Sequence, residues 1–260
     1  MSDVFSGGPF IVNETDDWAA VFKPHGMPSA PIEEGEEGTL LSWYLGVSPE
    51  ARAVAGRKPV ERGLLHRLDT DTAGLVLIAK RQASYDALLA SQGAGLFVKR
   101  YAAFSTRERE TVWGFPSGNS LEGLSQSASM KSSVIRIRSR FRPYGKGSRM
   151  VRPLFPGDRG YGSARDEYTT EVESVERSAE PGLFRVIASL ERGYRHQVRA
   201  HLAAMGYPIA GDALYRPGGG DGSTANGMPL QLHAFSIGFP DPVTGSPISV
   251  SLPLPDRTSR

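Results

Sequence analysis

Apolar residues along this chain alternate with polar ones over short runs more often than they recur at helical spacing. Residues 10–13 and 18–23 read as two short strands around the polar turn Glu14-Thr15-Asp16-Asp17, and further strands are predicted over 96–104, 134–141, 168–175, 183–190, 230–239 and 248–254. Residues 75–79, Leu-Val-Leu-Ile-Ala, are apolar without a break, the pattern of a strand buried on both faces. Three stretches change to helical spacing. Thr39 is placed to cap a short helix over 39–44. Tyr85, Leu88 and Leu89 share a face over 82–92, and Val198, Leu202 and Met205 share one over 195–205, each stretch stopped by a glycine. Many strands and few, short helices predict an α+β fold with a largely antiparallel mixed sheet and flanking helices. With no repeat and no linker, residues 1–260 are expected to be a single domain with a core of about 11–255, carrying a Gly/Ser-rich then basic insert over 114–165.

Composition removes several classes of chemistry. The chain has 260 residues and no cysteine, which excludes disulfides, thiolate catalysis and cysteine-ligated zinc. No apolar run approaches membrane-spanning length, and Met1 to Pro9 lacks the basic and apolar parts of a signal peptide. A soluble cytoplasmic monomer with no membrane association is expected. Net charge is only +2, but its distribution is uneven. Between Glu122 and Asp158 there is no acidic residue and eight basic ones, so the rest of the chain carries −6. In the alternating run 134–141, Ile135, Ile137 and Phe141 fall on one face and Arg136, Arg138 and Arg140, followed by Arg142, on the other. The row places a guanidinium about every 7 Å. With no carboxylate interleaved in sequence, it reads as a contact for a polyanion rather than as a charged edge strand.

Candidate chemistry gathers in separated stretches. The loop Arg62-Gly63-Leu64-Leu65-His66-Arg67-Leu68-Asp69-Thr70-Asp71 is dense in charge and runs directly into the buried strand, where an ionised group needs a partner or a use. Lys23-Pro24-His25-Gly26 is a stiff loop. Lys99-Arg100-Tyr101 lies within a predicted strand. Arg195 and Arg199, one helical turn apart with His196 beside them at a helix N-terminus, would make a cationic corner.

In this order, Lys23-Pro24-His25-Gly26, His66-Arg67-Leu68-Asp69 followed by Thr72-Ala73-Gly74, Lys99-Arg100-Tyr101, His196-Gln197-Val198-Arg199-Ala200-His201-Leu202, Pro208-Ile209-Ala210-Gly211-Asp212 and Leu232-His233-Ala234 resemble the RluA-type RNA pseudouridine synthases over about residues 11–255. The resemblance implies the catalytic fold of that family and the isomerisation of specific uridines to pseudouridine in structured RNA, either ribosomal or transfer RNA. Asp69 would be the nucleophile, attacking C6 of the uracil or C1′ of the ribose. Tyr101 would pack against the target base and take part in proton transfer, and Arg199 would pair with Asp69 and keep it ionised. Arg67 would fill the gap left when the uridine leaves its stack. His66, Lys99, Arg195, His196 and Gln197 would bind substrate, with Arg136, Arg138, Arg140 and Arg142 on the RNA backbone. No metal and no organic cofactor is implied. The S4-like RNA-binding domain that often precedes the family's catalytic domain is not expected here.

Two positions depart from the family pattern. Ala73 stands where serine is usual, with Asp71 and Thr72 available to replace a lost hydrogen bond. In Gly193-Tyr194-Arg195-His196-Gln197 the arginine comes one residue late, with Arg195 as its substitute. These departures and the basic row also fit a second reading, a catalytically inactive RNA-binding protein or RNA chaperone on the same fold.

Overall fold

The computed structural model describes residues 7–108, 134–216 and 228–255. The first part of the expected insert, and most of the Gly-rich stretch after Arg216, lie outside the described residues. The chain divides into two compact units, one made of residues up to Arg100 together with His233–Pro255, the other of Tyr101–Leu232.

In the first unit β1 (Phe10–Glu14), β2 (Trp18–Lys23) and β3 (Ala73–Ala79) pair antiparallel in sequence order, and β9 (Leu232–Pro240) joins the other edge of β3 in parallel through Ala73 and Gly74. Strand β10 (Pro247–Ser251) returns antiparallel along β9. Every residue of β2 and β3 is buried, as continuous apolar runs require. Helix α1 (Leu40–Val47) starts where expected: the Thr39 hydroxyl accepts from Ser42 N–H at 3.0 Å, and Ser42 Oγ accepts from Thr39 N–H at 3.0 Å. Helix α2 (Gln82–Gly93) lays Tyr85 and Leu88 into the core formed with Trp18, Phe22, Leu75 and Leu77.

In the second unit the order is β4 (Val98–Ser105), β8 (Phe184–Leu190), β7 (Glu167–Arg177), β5 (Ile135–Tyr144) and β6 (Met150–Leu154). The β7–β8, β5–β7 and β5–β6 pairs are antiparallel. Ala200, Ala203 and Ala204 of α3 (Gln197–Ala204) pack on Phe141, Met150, Val151 and Tyr215. The α+β, mostly antiparallel character is therefore as expected. Two local readings need correction. Strand β6 was not anticipated, because Pro153 interrupts its run; it is an edge strand, where a missing N–H is tolerated. Helix α3 begins at Gln197 rather than Arg195, because His196 takes a left-handed conformation at φ 57°.

Candidate active site

The Asp69 loop belongs to the first unit and is an excursion that returns onto β3. Leu65 N–H donates to Leu77 O at 3.0 Å, and Ala79 N–H donates to Gly63 O at 2.8 Å. The two backbones come so close that a Cβ at Gly63 would collide with the Ala79 carbonyl. Gly74 is needed for a similar reason: its φ is +134°, and a Cβ there would strike the Ala234 backbone of β9. Between these contacts one N–H of β3 is left over. The His66 ring fills the gap, with Nε2 accepting from Leu77 N–H at 3.2 Å. His66 must then be unprotonated at Nε2. Desolvation of its ring, and next the Lys99 cation, hold its pKa well below the usual imidazole value.

The tip of the loop is fastened from β2 and the segment after it. Ser29 Oγ accepts from Leu68 N–H at 3.0 Å and donates to Leu68 O at 2.8 Å. Thr72 N–H closes a turn onto Asp69 O at 3.0 Å. Lys23, fully buried, donates its three ammonium hydrogens to Pro24 O at 2.9 Å, Met27 O at 2.7 Å and Thr70 O at 2.9 Å. Burial lowers its pKa to about 8 against the opposing pull of Asp69 and Asp71. The half-buried Asp69 thus has an ammonium ion in its field, anchored to the carbonyl of the next residue. His25 Nδ1 meets Asp71 O at 2.6 Å, which fixes a proton on that nitrogen, and its Nε2 lies 3.3 Å from His233 Nε2, with the rings edge to face. Arg67 is exposed and reaches Glu61 at 3.2 Å. Lys99 is buried, its pKa lowered to about 8 by desolvation and then by Arg57.

Tyr101 and Arg199 belong to the second unit. Tyr101 is buried in β4. Arg199, also buried, makes a two-pronged pair with Asp212: Nε to Oδ2 and one terminal nitrogen to Oδ1, both at 2.8 Å. Asp212 Oδ1 also accepts from Leu214 N–H at 2.9 Å and Tyr215 N–H at 3.1 Å. Burial works to raise the Asp212 pKa, but the Arg199 hydrogen bonds and charge outweigh it and hold the carboxyl below its usual range. The Tyr215 ring lies under the guanidinium at 5.2 Å, and its hydroxyl accepts from Val151 N–H at 2.7 Å and meets His196 Nδ1 at 3.0 Å.

The cationic corner expected of Arg195, His196 and Arg199 is not assembled as one helix face. Arg195 lies ahead of the helix and donates to Ser148 O at 2.6 Å and Met150 O at 3.1 Å. Gln197 is spent internally, donating to Thr169 O at 2.9 Å and Thr170 Oγ1 at 3.0 Å and accepting from Tyr194 N–H at 2.9 Å. His201 is wedged between Ser139 Oγ at 2.7 Å and Thr170 Oγ1 at 2.8 Å, and burial pushes its pKa down to about 3. The arginine row also needs correction. Its faces are as expected, but β7 supplies the carboxylates that the local sequence lacks: Glu171 bonds Arg136 Nε at 2.7 Å, and Glu167 stands opposite Arg140. Among the residues that sequence reasoning left without a role, Asp212 and Lys23 matter most. Their motifs were visible, but only the fold says what each side chain holds. Among the described residues no three His, Asp or Glu side chains gather closely enough to hold a metal ion.

Residues 17–204 match the family model described as RNA pseudouridylate synthase. The chain belongs to the RNA pseudouridylate synthase family. It is of the RluA type: over 254 residues it is 30% identical to the ribosomal large subunit pseudouridine synthase D of Nitrosomonas europaea, covering 95% of this chain and 62% of that protein. It is 29% identical to the protein of the same description from Zymomonas mobilis, covering 94% and 69%. The chain therefore spans about two thirds of the length of these curated relatives. Among solved structures, human RNA pseudouridylate synthase domain containing 1 superposes with a TM-score of 0.65 at 20% identity, covering 95% of this chain and 83% of that one, and human domain containing 4 with 0.59 at 18%, covering 94% and 88%. These likenesses establish the fold.

Within the family, the two departures acquire physical content. Ala73 is fully buried in register with His233, and the neighbouring Thr72 hydroxyl is buried without a hydrogen-bond partner, so Thr72 does not replace the usual serine. Tyr194, where arginine is usual, stacks on Phe141 at 4.9 Å and 5° and packs against Tyr168. The substitute Arg195 is turned to the β5–β6 hairpin instead.

Proposed function

We propose that the chain isomerises uridine to pseudouridine in structured RNA, with Asp69 as the nucleophile, Tyr101 and Arg199 as the residues that assist it, and the two units acting as one catalytic domain. The observation that carries this reading is the Asp69 loop. It is tied to β3 on one side, to Ser29 on another, and placed in the field of a buried Lys23 whose hydrogens all go to neutral carbonyls. A nucleophile must be held in one geometry to be effective, and rigid fastening of a loop supplies that. A buried cation whose hydrogens all go to neutral carbonyls keeps a positive field at the loop.

The target uridine would leave its stack to reach the loop, because neither C6 nor C1′ is accessible to a carboxylate inside a helix. Exposed Arg67, paired with Glu61 at 3.2 Å, would take the vacated space. His66, Arg195 and Gln197, which hold backbone in place, would act around the substrate together with Lys99 and His196. Two relatives are ribosomal large subunit pseudouridine synthases, so large-subunit ribosomal RNA is the proposed substrate class. Pseudouridine mapping in the source organism, with and without the gene, tests the reading. Loss of one or a few ribosomal pseudouridines on deletion is expected. An unchanged map, with RNA binding retained, would favour the inactive RNA-binding protein.

A further inference from the structure

The second unit carries a like-charged pair that its own counter-charges leave uncompensated. Along the outer face of β5, Arg136 is bonded to Glu171, and Arg140 donates to Tyr161 O at 3.0 Å and Ala164 O at 2.9 Å while lying over the Tyr161 ring at 4.5 Å. Arg138 stands opposite Thr169, between the positions of Glu167 and Glu171. The fourth arginine is different. Arg142 is directly opposite Arg152 of β6. Side chains so opposed on an antiparallel pair leave the same face with Cβ atoms about 5 Å apart, and like charges there destabilise the pair. Among the described residues neither arginine has an acidic partner, and the Arg152 Nε is buried without a hydrogen-bond partner. The turn between the strands adds exposed Lys146 and Arg149, and residues 123–157 contain no carboxylate.

The arrangement is held in place. Arg195 fastens the turn through Ser148 O and Met150 O, the Tyr215 hydroxyl accepts from Val151 N–H, and Met150 and Val151 are packed into the core under α3. A solvated edge strand guarded by charge would not need bracing that holds two guanidiniums against each other. A phosphodiester between them would turn the repulsion into two charge-assisted contacts.

We propose that Arg142 and Arg152, with Lys146 and Arg149 at the turn, form a seat for backbone phosphates of RNA on the β5–β6 hairpin. This deepens the RNA-modifying reading and rests on it. It also narrows the basic row to its β6 end, since Arg136 and Arg140 are engaged within the protein.

The test is equilibrium binding of the full chain to a transcript of bacterial large-subunit ribosomal RNA between 50 and 300 mM salt. It compares wild type with R142Q, R152Q and the double variant, and with R185Q, which removes an arginine paired with Glu176 elsewhere on the same unit. Each lost phosphate contact should flatten the slope of log affinity against log salt by about 0.7–0.9 and weaken binding about threefold at low salt, with R185Q close to wild type. Relief of repulsion should leave the melting temperature of R142Q and R152Q equal to or above that of wild type. A double variant with the wild-type slope, an equal loss in R185Q, or a lowered melting temperature in either single variant would overturn the phosphate seat while leaving the RNA reading intact. Wild-type protein that does not bind the transcript at 50 mM salt would instead overturn the RNA reading, and the seat with it.

Discussion

Lys23 in the first unit and Arg199 in the second are both buried cations at motifs, and they are held in opposite ways. Lys23 in the first unit gives its three hydrogens to the carbonyls of Pro24, Met27 and Thr70 and has no carboxylate hydrogen-bonded to it. Arg199 in the second unit is clamped by Asp212 through two parallel bonds of 2.8 Å. Burial lowers the Lys23 pKa to about 8 against the opposing pull of Asp69 and Asp71, and the neutral carbonyls leave its charge free to act on those two carboxylates. A carboxylate cancels charge and fixes orientation, so Arg199 gains a defined position and Asp212 stays ionised despite burial. The contrast separates two uses of a buried cation: one exerts a field on its neighbours, the other is part of a rigid strut.

Breaking the strut should be the larger event for stability. Asp212→Asn leaves a buried guanidinium without its counter-charge and should cost about 3–5 kcal/mol, read from urea unfolding. Replacing both partners together, Arg199→Met with Asp212→Leu, should recover most of that loss, since a buried pair contributes little net stability over an apolar one. Recovery of stability without recovery of activity would sharpen the assignment of Arg199 to the reaction.

Removing the field should do the reverse. Lys23→Met strands three carbonyls but also removes a buried charge, and these oppose each other, so stability should change by less than about 2 kcal/mol. Turnover should fall by on the order of 100-fold, as when one preorganised electrostatic group is removed. A stability loss as large as that of Asp212→Asn, with turnover intact, would erase the distinction between the two cations.

The pH dependence of stability tests the buried groups in a further way. His66 and His201 have folded pKa values below 6.5, His201 at about 3. Below pH 6.5 the unfolded chain binds protons that these two folded imidazoles refuse, so stability is full above pH 6.5 and falls on acidification, by about 1.4 kcal/mol per pH unit for each group. Lys23 works at the alkaline end. Its folded pKa of about 8 lies below 10.5, so the cost of burying its charge is full below pH 8 and is relieved as pH rises toward 10.5. Melting temperature against pH checks both: His201→Gln should flatten the acid limb, and Lys23→Met should remove the alkaline rise.

The sequence was most legible where burial dictates residue type. The run 75–79, the Thr39 cap and the alternation along β5 all appear as expected, because strand and cap patterns are local. The order of the motifs around Asp69 was enough to identify the family. Pairing across elements was not legible. That Glu171 would answer Arg136 depends on which strand lies next to β5, and that Arg142 would face Arg152 depends on the register of a strand whose proline hid it. Arg195 and Arg199 looked like neighbours on one helix because nothing in the sequence signals that His196 adopts φ 57° and starts the helix two residues late. Lys23 and Asp212 sat in recognisable motifs, yet Thr70, the third carbonyl on Lys23, and Arg199, the cation on Asp212, lie in other segments of the chain.

The claim that the Asp69 loop is the working centre is tested most directly by tritium release from RNA labelled at uracil C5, comparing the wild-type chain with Asp69→Asn. Because C5 becomes the glycosidic carbon of pseudouridine, its hydrogen must be lost. Release by the wild type and none by a variant that melts and binds RNA like the wild type is the predicted result. Release at the wild-type rate by Asp69→Asn would contradict it.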